Sequence, residues 1–354
     1  MVDRLSLLLL AQDPEFQRLT NAIYTQQMAQ DLRLQEELDS RAQQKMYQDV
    51  QYNVDFLYTA LELDDDGIFE KYARWLYQLL VPVMTYCTRE RLQEIMTAHF
   101  EMIRSCMIRC IAPEQQPKLH RLLDCAVEAM ADECAHGSQQ QRTAEKYEAE
   151  IQRYLDCILQ SDTKGAMNLI TEYSNTGIPL SDICVDIVTE AMRRVGELWH
   201  QHQISVDMEH YCTSITQMAL AQLYPLIFSQ PRKGKSVLVA CVGSELHEIG
   251  ARMVADIFEY NGWDSLYLGA AVPIEAIQSA AAEQQPDLVA LSVTMPQHLP
   301  LCREAVQSLR ETLPQLKIAV GGNAFDGTEL WKSWGADICT KDARELVLWA
   351  DETL

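Results

Sequence analysis

The periodicity of the apolar residues changes once along this chain, just after Pro231, and that change limits what it can fold into. Before it, apolar residues recur at helical spacing in segment after segment. After it, short apolar runs alternate with helical patterns. Residues 236–241 (S-V-L-V-A-C) are apolar and rich in β-branched side chains. They lie between Gly234 and Gly243, which predicts a short, buried strand. Helix is expected over 248–260, strand over 265–268 and helix over 274–283. Strand, helix, strand and strand follow over 287–293, 298–313, 317–320 and 336–340, with a last helix over 343–352. Strands alternating with helices predict a doubly wound parallel sheet of five strands. Ligands in such sheets bind beyond the carboxyl ends of the strands.

Ahead of Pro231 the chain reads as helix in two groups. Residues 18–46 carry no Gly or Pro and predict one long helix; 53–63, 68–86, 89–111 and 117–131 predict others. A polar stretch over 136–142 is the expected linker. Helical pattern returns over 145–160, 163–175, 181–200 and 206–228, with Ser181 as an expected N-cap, and suggests a four-helix bundle. The fold class is therefore α plus α/β, in three domains: 1–135 all helical, 143–230 a bundle, and 235–354 the parallel sheet.

Fifty-one Asp and Glu against 29 Lys and Arg leave a net charge of −22, which argues against binding a phosphate backbone directly. No apolar run reaches the ~20 residues that span a bilayer. The apolar stretch 5–11 is too short for that and reads as a segment that docks on the helices. The 11 cysteines include no C-x-x-C pair, so free thiols in a reducing cytoplasm are expected.

The loop after the first strand reads G-S-E-L-H-E-I-G, from Gly243 to Gly250. A His at a strand's carboxyl end can offer a ring nitrogen to a metal. Glu245, two residues before His247, can accept the other ring N–H and fix the tautomer. Gly250 lets the start of the helix lie close to a bulky group. The pattern E-x-H-x-x-G resembles the D-x-H-x-x-G signature of the cobalamin (B12)-binding domain of methionine synthases, mutases and corrinoid carriers. Leu291-Ser292-Val293-Thr294 resembles the family's S-x-T/S-x-L region, and Val320-Gly321-Gly322 its G-G turn. The resemblance spans 235–354 and implies a flavodoxin-like domain with His247 as lower axial cobalt ligand. It implies that Ser292, Thr294, Gly321 and Gly322 line a slot for the displaced nucleotide tail. The departure is Glu245 in place of Asp, whose longer side chain must reach the His differently.

The bundle carries V-G-E-L-W-H-Q-H-Q-I-S-V-D-M-E-H, from Val195 to His210. Trp199 is expected at the end of one helix, with Val206, Glu209 and His210 in the first turn of the next. By themselves Trp199 reads better as core and Glu209 as a first-turn acid suited to the helix dipole. Beside the E-x-H-x-x-G loop, W-H followed by E-H resembles the helical cap of CarH-type B12 photoreceptors. That resemblance implies adenosylcobalamin as cofactor, with Trp199 and Val206 packed on the adenosyl group and Glu209 and His210 contacting it. It implies that His200 ligates cobalt from above once light has removed that group. His202 has no counterpart, and His298 is expected near the corrin site rather than in it.

No substrate barrel of the ~250 residues usual for such enzymes fits in the chain, so a non-enzymatic light sensor is expected, with a corrinoid methyl carrier as the alternative. No basic recognition helix precedes the bundle. A partner protein or self-association is the expected output, without direct nucleic acid or membrane contact. N-V-D-F-L-Y and Y-A-R-W-L-Y, within 53–58 and 72–77, resemble the extra domain of photocobilins, which implies a bilin such as biliverdin. The same aromatics read equally well as core and a dimer face.

Overall fold

The structure, a computed structural model, describes residues 13–137 and 146–354. The apolar stretch 5–11 and most of the expected linker over 136–142 lie outside the described residues. The chain divides between Gln140 and Gln141 into two compact units. No helix among the described residues is long and apolar enough to cross a membrane.

The first unit is helical: Pro14–Gln30, Leu32–Glu37, Ser40–Leu63, Asp66–Leu80, Arg89–Met107 and Gln116–His136. The expected single helix over 18–46 is instead three segments. The Asp31 carboxylate accepts from the Leu34 N–H, and that of Asp39 from the Ala42 N–H, so each aspartate caps a new helix. Arg91 holds Asp31 from a distant helix at 2.7 Å, which fixes the first break. The core is largely aliphatic and includes aromatic pairs. Phe56 stacks on Tyr72 with ring centroids 3.9 Å apart, and Phe69 packs 5.5 Å from Phe100. Of the aromatics behind the photocobilin resemblance, Phe56, Tyr72 and Tyr77 are buried, while Trp75 reaches the surface.

Beneath them runs a buried polar chain. The Tyr72 hydroxyl donates to Asn53 Oδ1 at 2.7 Å, Asn53 Nδ2 donates to His99 Nε2 at 2.8 Å, and His99 Nδ1 donates to Gln27 Oε1 at 2.6 Å. This arrangement fits a neutral imidazole, and burial pushes the His99 pKa down to about 4.

In the second unit the bundle comprises Glu148–Leu159, Thr163–Asn175, a compound helix ending at His200, and Val206–Leu220. The compound helix runs from Leu180–Asp182 through a π-helical turn, Ile183–Val188, into Thr189–His200. It starts one residue earlier than expected: Pro179 precedes its first residue, and Ser181 lies inside it without capping. The sheet has strands β1 (Ser236–Cys241), β2 (Asp264–Tyr267), β3 (Leu288–Ser292), β4 (Lys317–Gly321) and β5 (Ile338–Cys339). They are all parallel, in the order β2-β1-β3-β4-β5. The chain reverses its direction of winding between β1 and β3, and the carboxyl ends of those two strands flank the crevice where this class of sheet binds ligands.

One apolar core joins bundle and sheet, from Ile151 through Ile215 and Val239 to Ala350. Polar links pin the two layers around it. Arg344, on the last helix (Ala343–Thr353), donates to Asp182 at 3.1 Å and to both oxygens of Asp186 at 2.9 Å. Arg252 donates to the Tyr224 hydroxyl at 3.0 Å, and Gln217 to Glu248 at 2.7 Å.

The buried imidazole makes the first unit acid-sensitive. Its folded pKa lies below the ordinary value of 6.5, so the unfolded chain binds the extra proton and stability falls as pH drops from 6.5 towards 4. Asp49, raised by burial to about 6, acts in the opposite sense over much of that window, so wild type alone shows a muted slope. Comparison with His99→Gln isolates the histidine. The stability advantage of wild type over the variant should shrink by about 2 kcal/mol between pH 7 and pH 5. Urea unfolding read by hydrogen exchange in the first unit measures it, and an unchanged difference would show that His99 is not held neutral.

Candidate functional site

The loop between β1 and the helix Ile249–Tyr260 is organised by one carboxylate. Glu245 is 0% exposed and accepts four hydrogen bonds. Its Oε1 accepts from His247 Nδ1 at 2.6 Å and from the His247 backbone N–H at 3.0 Å. Its Oε2 accepts from the backbone N–H groups of Thr294 and Met295, both at 2.8 Å. The extra methylene of Glu relative to Asp lets one carboxylate span from its own loop to the loop after β3. Burial opposes its ionisation, but the bonds from His247 and from the Met295 and His247 amides outweigh that and hold its pKa at about 2.

The anion sets the imidazole. A carboxylate only accepts, so Nδ1 carries the proton and the neutral ring presents its Nε2 lone pair outward. The ring is 59% exposed. Its pKa is raised, first by the hydrogen bond to Glu245, against burial, and further by the charges of Glu245 and Glu209. Glu209 belongs to the bundle, so its carboxylate and the His247 imidazole lie within electrostatic reach of one another.

Trp199 and His200 close the helix Thr189–His200 and are half-buried. The connection to the next helix turns through His202 in the left-handed region, at φ 55°. Val206 opens the helix Val206–Leu220 and is 53% exposed. Glu209 is half-buried, with Thr213 Oγ1 donating to its Oε1 at 3.1 Å and His210 Nδ1 lying 2.5 Å from its Oε2. His210 itself is exposed. Across from this corner, Leu246 is 73% exposed beside His247. A side chain added at Gly250 would meet nothing within 4 Å. Exposed apolar residues and open space around an available imidazole nitrogen fit a large, partly apolar disc bearing a metal.

The remaining expected residues gather at the same end of the sheet. Ser292 ends β3, level with Cys241 and Gly321 of the adjoining strands, and Thr294 is bonded to Glu245 through its amide. At Gly322, φ is 101° and a Cβ would stand 2.2 Å from the Val293 carbonyl oxygen, so the chain itself requires glycine there. His298 is buried near Gly243, 3.7 Å from where a Cβ on that glycine would stand. Two groups singled out by no motif also belong to the site, the Met295 amide and the Thr213 hydroxyl, and a Gln217–Glu248 bond joins the bundle to the loop.

Residues 235–347 match a family described as a B12 binding domain, and residues 150–224 match a second family with the same description. The chain is 27% identical over 123 residues to the HTH-type transcriptional repressor CarA of Myxococcus xanthus, a match covering 35% of this chain and 41% of that protein. It therefore spans less than half of that relative's length. It is 26% identical over 199 residues to dimethylamine corrinoid protein 1 of Methanosarcina acetivorans, covering 54% of this chain and 91% of that one. The structure of the Methanosarcina barkeri monomethylamine corrinoid protein superposes with a TM-score of 0.52 at 21% identity, over 58% of this chain and 99% of that one, and shows the same fold.

The roles of Glu245 and His247 can be separated by titration with hydroxocobalamin. His247→Ala should leave a weaker complex whose spectrum lacks a protein imidazole. Glu245→Gln keeps the ring but loses the anion that orients it, and should weaken binding by about 10- to 100-fold. Wild-type affinity in both variants would remove this pair from the site.

Proposed function

We propose that this cobalamin-binding chain is a non-enzymatic light sensor that holds adenosylcobalamin with His247 below the cobalt and signals through its conformation or oligomeric state. The observation that carries the reading is the bundle corner from Trp199 to His210, whose carboxylate lies within electrostatic reach of the His247 imidazole. Bound adenosylcobalamin would supply a cobalt–carbon bond that light breaks. Trp199 and Val206 offer an apolar wall for the nucleoside. Glu209, oriented by Thr213 and His210, offers acceptors for ribose hydroxyls. His200 follows Trp199 and points about 100° away around the helix, so it takes the upper position only if the bundle shifts. That requirement converts loss of the nucleoside into motion.

The first unit supports a regulator. The match to the dimethylamine corrinoid protein covers 91% of that protein with 54% of this chain, so a whole further helical unit is added here. The charge of −22 favours output through a partner protein or self-association over direct contact with nucleic acid. Phe56, Phe69 and Tyr72, buried in mutual contacts, favour an aromatic cluster of the core over a site for a bilin such as biliverdin. The competing reading is a methyl-carrying corrinoid protein serving separate methyltransferases. It is favoured by that same near-complete coverage, against 41% of CarA.

The two readings differ on the upper ligand. A sensor with an adenosyl pocket should bind adenosylcobalamin more tightly than methylcobalamin, by roughly 1–3 kcal/mol or ~5- to 150-fold, because only the former fills the pocket and pairs with Glu209. Illumination should leave a stable spectrum with imidazole on both faces of cobalt. His200→Ala should photolyse but never reach that spectrum. Equal affinities, with no lasting spectral or hydrodynamic change after light, would favour the carrier.

A further inference from the structure

The helix Val206–Leu220 carries a polar line that its packing does not require. Glu209, Thr213 and Gln217 are spaced four residues apart, so they stand one above another along one face. Beside them the same helix is core, with Cys212, Ile215, Thr216 and Ala219 buried. At the upper end Thr213 Oγ1 donates to Glu209 Oε1 at 3.1 Å. At the lower end Gln217 Nε2 donates to Glu248 Oε1 at 2.7 Å. Glu248 is the residue after His247, and its second oxygen accepts from the Tyr267 hydroxyl at 2.9 Å. The Arg252 guanidinium lies 4.8 Å above the Tyr267 ring and also donates to the Tyr224 hydroxyl, just past the same bundle helix.

We infer that Gln217 and Glu248 are positioning residues that tie the His247 loop to the helix bearing Glu209, so that a change of ligation below the metal shifts the carboxylate above it. The inference rests on the proposed role of His247 as cobalt ligand. His247 and Glu248 share a peptide bond, so drawing the imidazole onto a metal moves the Glu248 backbone. The Glu248 carboxylate cannot simply swing away, because Gln217 and Tyr267 hold one oxygen each. Charge-assisted bonds of this kind are strong and directional. The helix then carries the displacement over two turns to Glu209, whose carboxylate is held by Thr213 one turn away. Coupling of this sort needs a demonstrated dependence between its two ends.

Hydrogen exchange on the full chain, with and without hydroxocobalamin, provides that test. The readout is the change in protection on loading across 213–220, the half of the helix away from Glu209. Wild type should gain protection there. Gln217→Met keeps the side-chain volume but removes the amide, and its gain should fall at least threefold while the visible spectrum still reports His247 on cobalt. The exchanged pair Gln217→Glu with Glu248→Gln reverses donor and acceptor, and should recover the wild-type gain. A merely structural role would lower protection equally with and without ligand and leave the difference unchanged. An undiminished gain in Gln217→Met, or no recovery in the exchanged pair, overturns the inference while the role of His247 stands. A wild-type spectrum without protein imidazole on cobalt overturns both.

Discussion

The bridge made by the Glu245 carboxylate is the interaction on which the rest of this site depends. A fully buried anion is costly unless its lone pairs are filled, and here four N–H groups fill them. Those donors come from two loops that the sheet order places side by side, after β1 and after β3. The desolvation cost is therefore met when the domain folds, before any ligand arrives. His247 is left with one tautomer and one orientation, and a metal does not have to organise them. An unpaired imidazole on a surface loop would sample many rotamers and both tautomers.

How legible this was varies with the physics. The parallel sheet could be read because strands buried on both faces are apolar throughout, as in Val237–Val239 and Val289–Leu291. The break at Asp31 could not, because an Asp within a polar helical run reads as helix surface. It becomes a cap only when Arg91, sixty residues away, holds it. Ser181 reads as a cap by composition, but the helix already begins at Leu180, with Pro179 before it. At the site, E-x-H-x-x-G marks the loop, yet three of the four donors to Glu245 are main-chain amides, which carry no residue identity. Gln217 and Glu248 are ordinary polar residues whose relation is set by tertiary packing alone.

Bundle and sheet share an apolar core, and polar links lie around it. Arg344 with Asp182 and Asp186 lies at one place, and Gln217–Glu248 with Arg252–Tyr224 at another. The charge-assisted bonds among these links hold the layers in register, and packed Ile and Val side chains resist being pried apart. Movement is thus easiest where neither kind of contact holds the chain. The corner from Trp199 to His210, with Val206 and His210 already in solvent, has the least to lose.

The π-helical turn at Ile183–Val188 gives that corner its phase. A π turn holds one residue more than an α-helix has room for, and each residue is worth about 100° of rotation. Asp182 and Asp186 lie at the start of the compound helix and in this turn, while Trp199 and His200 lie beyond it. The extra residue sets the angular offset between the end gripped by Arg344 and the end that carries the tryptophan. One rod is thereby keyed at two angles, as a camshaft is, and loss of a single residue here would turn Ala191, Val195 and the indole together by about 100°, away from the neighbours they now face.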